Sequence, residues 1–334
     1  MEESHLGRYE ILEELGRGDM GIVYRAHDPL IDRYVAIKTI DLQKLSEQEK
    51  EEYKARFYQE AKAAGRLNHP NIITIYDLGR KGDIAYIAME LMEGPELQDI
   101  AAKDAPLSLV EKVDIAVQIA AGLAYAHEHG VIHRDIKPSN IMVLRGMHVK
   151  IADFGIARME SPLWRTQVDR IMGSPLYMSP EQVQSHPIGP GSDIFSFGIV
   201  FYQMLTGKLP FFGESANSVF YKIVNEEPGK PSALKSDIPE ALDNIVAKCL
   251  AKKPEQRYQN ARDLLTDLRA CRRQLAPGDD SAGESEYFDG HRPGSSKISS
   301  NQILTIVVVT ALLSLAVYVM IEHMLIPKIP RLHK

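Results

Sequence analysis

The chain has 334 residues and a formal net charge of −6, with 44% apolar and 25% charged residues. That composition excludes a wholly disordered chain and a polytopic membrane protein. The acidic balance argues against a nucleic-acid partner, which calls for a basic domain, and two cysteines, Cys249 and Cys271, are too few for a disulfide framework, so a reducing compartment is expected.

The N-terminal MEESHLGRYE is acidic and lacks an apolar run, and no cleavable secretory leader is expected there. The next eighty or so residues read as strands with one long helix. The runs YEILEEL, GIVYRAH, YVAIKTI, NIITIYDLG and IAYIAMEL are separated by Gly, Asp and Pro signals. Gly16 and Gly18 lie between the first two runs, and Gly21 opens the second, followed by Val23. Glycines at this spacing let a backbone hairpin approach phosphates with no side chain in the way. An ordinary hairpin is the plain alternative. A dinucleotide turn is disfavoured, because a strand-like run follows it rather than a helix.

Lys38 closes the VAIK run. A lysine there is commonly a solvated edge residue, but a helix with an inward carboxylate lies downstream. Ser46 with Glu49 fits a capping box, and the interior is rich in Glu, Lys, Ala and Gln, which predicts a helix from Ser46 to Arg66. Glu60 within it is expected to pair with Lys38 and aim the ammonium at phosphate oxygens.

From Pro95 the pattern turns helical. Leu109, Val113, Ala116, Ala120, Leu123 and Ala124 recur at three- and four-residue steps. Then come His133-Arg134-Asp135-Ile136-Lys137-Pro138-Ser139-Asn140, Asp153-Phe154-Gly155 and the run GSPLYMSPE ending at Glu181. Asp193 to Leu205 is apolar nearly all round, which predicts a helix buried at the centre of its lobe. Residues 239–250 and 260–275 give two further amphipathic helices. Residues 276–302 are rich in Gly, Ser, Pro and Asp and read as a flexible juxtamembrane linker. Residues 303–321 carry no charge over nineteen positions. A helix of that length spans about 28 Å, close to a bilayer's hydrocarbon core. A single transmembrane helix is expected, with 322–334 as a short tail and a buried core helix as the alternative.

These motifs, in this order over this pattern, make the chain resemble the protein kinase family, and within it the bacterial eukaryotic-like (Hanks-type) serine/threonine kinases. The stretch HEHGVIHRDIKPSNIMV and the segment GSPLYMSPEQ carry that closeness. The resemblance covers residues 8–275. It implies an α+β, two-lobed kinase fold, with a small β-rich N-lobe over about 8–92 and a larger α-helical C-lobe over about 93–275.

The resemblance also implies roles, residue by residue. The Gly16–Gly21 loop would cover the phosphates of ATP, and Lys38, held by Glu60, would contact the α- and β-phosphates. Asn140 and Asp153 would hold Mg²⁺, with Mn²⁺ as an alternative ion. Asp135 would orient the attacking hydroxyl and accept its proton, while Lys137 steadies the γ-phosphate. Leu15, Val23 and Ala36 would lie above the adenine and Met142 below it; for Leu15, Val23 and Met142 plain core packing is the alternative. Backbone groups of Glu90 and Met92 would bond the adenine edge, beside Met89. Glu181 would pair with Arg257, and Asp193 would brace the catalytic loop. Ser174 reads as a substrate-site residue. Thr166 reads as the regulatory phosphosite, paired through Arg134, or else as an ordinary polar loop residue.

Together these imply a Mg·ATP-dependent serine/threonine protein kinase acting on protein substrates, with a second copy as partner for autophosphorylation in trans. The single-pass anchor would leave the kinase domain cytoplasmic. The basic flanks do not settle that orientation, since Arg292 and Lys297 precede the span while Lys328, Arg331 and Lys334 follow it. A pseudokinase scaffold and a small-molecule kinase are the rivals. The first typically lacks one of Lys38, Glu60, Asp135, Asn140 or Asp153, and the second lacks a complete serine/threonine-type activation segment.

Overall fold

The computed structural model describes residues 5–18, 21–42, 46, 48, 50, 59–101, 107–154 and 174–277. Among them, the first ninety form an antiparallel sheet of six strands: β1 (His5–Leu6), β2 (Tyr9–Gly18), β3 (Gly21–Asp28), β4 (Arg33–Asp41), β5 (Ile75–Lys81) and β6 (Ile84–Glu90). Their spatial order is β1-β2-β3-β4-β6-β5. Register is what matters for function here, because alternate residues of a strand point to opposite faces. Val23 lies opposite Lys38, Lys38 opposite Ile87, and Ala36 opposite Met89. One face therefore carries Val23, Ala36, Lys38, Ile87 and Met89. The other face buries Val35 and Ile37 against Tyr9, Ala26, Tyr86 and Ala88.

The expected helix after β4 is seen in part. Lys50 N–H donates to the Ser46 carbonyl at 2.8 Å, residues 59–64 are helical, and a turn follows at Gly65–Arg66. Glu49 and residues 51–58 lie outside the described residues.

The second lobe is helical: α1 (Leu97–Ala101), α2 (Leu109–Glu128), α3 (Pro180–Val183), α4 (Pro190–Thr206), α5 (Ala216–Asn225), α6 (Pro231–Leu234), α7 (Glu240–Cys249) and α8 (Ala261–Leu275). A two-stranded hairpin, β7 (Ile141–Leu144) with β8 (His148–Ile151), lies between α2 and α3 in the chain. α2 opens on a full capping box between Ser108 and Glu111 and buries its Ile- and Ala-rich face. α4 is buried on every side, as its composition predicted: Ile194, Phe195, Phe197, Ile199, Val200 and Phe201 are all wholly inaccessible. Each such side chain contributes about 1.5–3 kcal/mol by leaving water. Pro190 opens α4 at its first turn and Gly207, at φ +77°, closes it in the left-handed conformation that glycine adopts without strain. α8 packs along α2, where Arg272 Nε donates to Asp114 Oδ1 at 2.8 Å and Arg262 pairs with Glu128.

Among the described residues no helix is long and apolar enough to cross a membrane. The expected linker beyond residue 277, the 303–321 span and the tail lie outside the described residues.

Candidate active site

The site is assembled from five short pieces, each placed by a regular element behind it. β2 and β3 meet at the glycine-rich turn, with Gly16 opposite Val23 and Gly18 opposite Gly21. Gly21 has φ +149°, and a Cβ there would overlap the Thr39 carbonyl oxygen on β4. A side chain is thus excluded both by conformation and by space. Thr39 itself fastens the turn: its hydroxyl donates to the Ile22 carbonyl at 3.0 Å and accepts from the Ile22 N–H at 3.2 Å.

Beneath the turn, Ala36 and Met89 pack with Ile73, and Val23, Leu91 and Met92 lie against them. The expected adenine-facing residues Val23, Ala36 and Met92 are therefore neighbours. Leu15 is half exposed on β2, and Met142, on β7, pairs opposite Lys150 and bridges to Glu96. Glu90, where the lobes join, donates its N–H to the Thr74 carbonyl at 2.9 Å. Its carboxylate accepts from the Lys150 ammonium of β8 at 2.8 Å, tying the connection between the lobes to the lower hairpin.

The charged centre lies below. Asp135 Oδ2 accepts from Lys137 Nζ at 2.7 Å and from Asn140 Nδ2 at 3.2 Å, and Asn140 Nδ2 also donates to the Asp135 carbonyl. Since the Asn140 nitrogen is committed to Asp135, its Oδ1 is the atom suited to a cation. The Asn140 carbonyl accepts the Ala152 N–H at 2.8 Å, which places Asp153 next to it. A carboxylate and an amide oxygen are hard donors that fit Mg²⁺. Two protein ligands suit an ion that completes its shell with phosphate oxygens and water. Among the described residues no cluster of three or more His, Cys, Asp or Glu side chains is arranged to hold a metal by itself.

One expected pairing is corrected. Lys38 does not hold Glu60: its ammonium donates to Asp153 Oδ2 at 2.6 Å. Glu60 Oε1 instead accepts from Arg134 Nη1 at 2.7 Å. Lys38 and Glu60 thus each take a different partner from the one expected, Asp153 and Arg134 respectively. Arg134, expected to await a phosphorylated loop, is thus engaged by the helix that carries Glu60. Thr166 and the rest of residues 155–173 lie outside the described residues, while Ser174 opens a short 3₁₀ turn, Ser174–Tyr177.

Supporting contacts fix the catalytic loop. Asp193, wholly buried at the start of α4, accepts from the N–H groups of His133 and Arg134 at 2.8 and 2.7 Å, and from His127 Nε2 at 2.8 Å. Three donors offset the cost of burying its charge. His133 Nε2–H donates to the Ala152 carbonyl and its Nδ1 accepts the Asp135 N–H, so the bonding sets its tautomer. The His133 ring packs 4.6 Å from that of Phe154. Glu181 and Arg257 form the expected pair, bidentate at 2.7 and 2.9 Å and almost wholly buried. Burial alone would raise the Glu181 carboxyl, but the bonds from Arg257 and Ser192 outweigh it and hold the group below its ordinary value.

Sequence reasoning missed two residues at this site. His127 opens the HEHGVIHRDIKPSNIMV stretch at the end of α2, yet nothing in the sequence signalled its bond to Asp193. Glu96 lies just before α1 within the electrostatic reach of Asp153 and Lys137. Burial, and repulsion by Asp99 and Asp153, raise its carboxyl above the ordinary value despite a bond from Gln98. No spacing or motif in the sequence signals this placement.

With this geometry in view, comparison with known proteins is direct. The protein kinase domain family matches residues 9–267. The chain is 41% identical over 78% of its length to a probable serine/threonine-protein kinase of Clostridium acetobutylicum. It is 40% identical over 79% to the serine/threonine-protein kinase PrkC of Bacillus subtilis, and 38% over 81% to the serine/threonine-protein kinase PknB of Mycolicibacterium smegmatis. The matches span 39%, 40% and 44% of those proteins, so the chain covers under half the length of these curated relatives. The chain belongs to the protein kinase family, whose domain covers most of its length, and the relatives it resembles are serine/threonine-protein kinases.

Proposed function

We propose that the protein transfers the γ-phosphate of ATP to serine and threonine hydroxyls of proteins, itself among them, from a position at the membrane. The observation that carries this reading is the convergence of Lys38, Asp153, Asn140, Asp135 and Lys137 on one small region. Phosphoryl transfer asks a protein mainly for positioning and charge neutralisation, and each of these groups has a place in that work. The bare Gly21 turn lets backbone N–H groups approach the phosphates. Lys38 brings a cation to them from β4. Asp135, oriented by Lys137 and Asn140, meets the substrate hydroxyl and takes its proton. Mg²⁺, when bound at Asn140 and Asp153, would neutralise phosphate charge. The decisive experiment incubates the full-length protein with labelled ATP, Mg²⁺ and a cell lysate, and identifies the labelled residues. Label on serine and threonine supports the reading; label confined to small molecules sinks it.

Autophosphorylation within residues 153–181 is expected, first at Thr166, the only threonine of that segment, with a second copy as donor. A phosphate there offers acceptor oxygens to Arg134 in place of Glu60, and activity should rise with it. Mass spectrometry of wild-type and Asp135→Asn protein tests this. An unmodified segment in a fully active enzyme would end the idea.

The 303–321 segment is proposed as the anchor, with the kinase domain on the cytosolic side where ATP is abundant. Full-length protein should sediment with membranes and resist protease added outside intact cells. Recovery in the soluble fraction would remove the anchor, and digestion from outside would invert the topology.

A further inference from the structure

Arg134, immediately before Asp135, has φ +68°. For a residue with a Cβ this left-handed conformation costs about 1–2 kcal/mol, and it persists only where surrounding contacts impose it. Three contacts do so. Asp193 Oδ1 accepts the Arg134 N–H at 2.7 Å, and His133 Nδ1 accepts the Asp135 N–H at 3.2 Å. The third comes from 48 residues away, where Gln182 Nε2 donates to the Arg134 carbonyl at 2.8 Å. The carbonyl of Arg134 and the N–H of Asp135 belong to one peptide plane. That plane is therefore held at one end by a histidine ring and at the other by the Gln182 amide.

Gln182 has an ordinary task as well. It is the third residue of α3, and its Oε1 accepts the Ser179 N–H at 2.9 Å to complete a capping box. Capping uses only the oxygen of the amide, and a glutamate would serve as well. The nitrogen is what reaches the catalytic loop. The amide's orientation is fixed by its partners, since an N–H must meet Oε1 and a carbonyl must meet Nε2.

We propose that Gln182 is a positioning residue for phosphoryl transfer: its amide nitrogen holds the Arg134–Asp135 peptide, and through it the Asp135 carboxylate, in the orientation that transfer needs. This rests on the reading of Asp135 as the group that meets the substrate hydroxyl. Gln182 itself touches neither nucleotide nor substrate.

Gln182→Glu separates the two tasks, because it keeps the capping oxygen and sets a second oxygen against the Arg134 carbonyl. Gln182→Met removes the donor without adding charge. Ser179→Ala is the control, since it weakens the cap and leaves the Gln182–Arg134 bond. Full-length proteins are compared with casein as acceptor, with turnover counted per nucleotide-binding site. Both Gln182 variants should lose about 10–100-fold in kcat, the scale of a small misplacement of a reacting group. KM for Mg·ATP and the affinity for a fluorescent ATP analogue should stay within about twofold, and Ser179→Ala should keep near wild-type kcat. Unchanged kcat in either Gln182 variant overturns the proposal. So does a loss that Ser179→Ala shares, or one explained by fewer nucleotide-binding sites in both variants. Asp135→Asn runs alongside: if it remains active, the reading of Asp135 fails and takes the proposal with it, whereas an inactive Asp135→Asn beside fully active Gln182 variants counts against Gln182 alone.

Discussion

Replacing Asp135 by Asn is expected to lower phosphate transfer by about 10²–10⁴-fold, the usual cost of removing a general base, while nucleotide binding survives. The geometry gives the reason. The Asp135 carboxylate accepts from both Lys137 and Asn140. An amide there loses its charge and turns a donor toward donors, so both the proton acceptor and the orientation of the loop are lost. The glycine-rich turn, Lys38 and Asp153 are untouched, and the phosphates keep their cradle. Lys38→Met should be comparably inactive for a different reason: it strips the cation from the Asp153 carboxylate and from the phosphate path. Steady-state transfer of labelled phosphate, beside titration with a fluorescent nucleotide, separates the two variants. Near wild-type transfer by both would overturn the placement of the active site.

The largest effect on stability is expected at Arg257. Its guanidinium makes two bonds to Glu181 and reaches the carbonyls of Ala251, Gly191 and Lys252, all in a buried setting. Removing one member of a buried ion pair leaves the other charge without compensation and costs about 3–5 kcal/mol. Arg257→Met should therefore lower the melting temperature by roughly 6–20 °C for a domain of this size. Glu181→Gln should cost less, because a neutral amide needs less compensation. The pH dependence follows from the lowered Glu181 carboxyl. The unfolded chain binds its proton near pH 4.5 and the folded protein holds the group ionised below that. Its contribution is present above pH 4.5 and is lost as the pH falls through the folded value. Melting curves at neutral and acid pH should show wild type losing this increment on acidification and Glu181→Gln having none to lose. An Arg257→Met protein melting within about 2 °C of wild type would refute the assignment.

The parts of the site legible in the sequence are those whose chemistry is local. Gly21 stands out because a turn against a neighbouring strand tolerates only glycine. Asp135, Lys137 and Asn140 fall within six residues, close enough for the loop to bond to itself. The burial of α4 was legible because its apolar residues leave no polar stripe. The partners of charged groups were not legible. Glu60 takes Arg134 where the sequence pointed to Lys38, and nothing in spacing or periodicity ranks the two cations. That choice depends on where the helix carrying Glu60 lies over the lower lobe. His127 on Asp193 and Gln182 on Arg134 were hidden for the same reason, since contacts 66 and 48 residues apart leave no periodic trace.

The packing of α8 along α2 has a consequence for how the protein is made. Asp114 and Arg272 are 158 residues apart, and a ribosome adding about 5–20 residues per second needs roughly 10–30 s to pass from one to the other. Throughout that interval the face of α2 that α8 will cover is already synthesised and still open to water. The upper sheet is complete by residue 90 and can close early. The lower lobe cannot seal until the helix ending at Leu275 has left the exit tunnel. A nascent chain stalled before that point presents an apolar helix face to chaperones and proteases, so interruptions in the last twenty codons of the domain should be far more damaging to yield than their distance from Asp135 suggests.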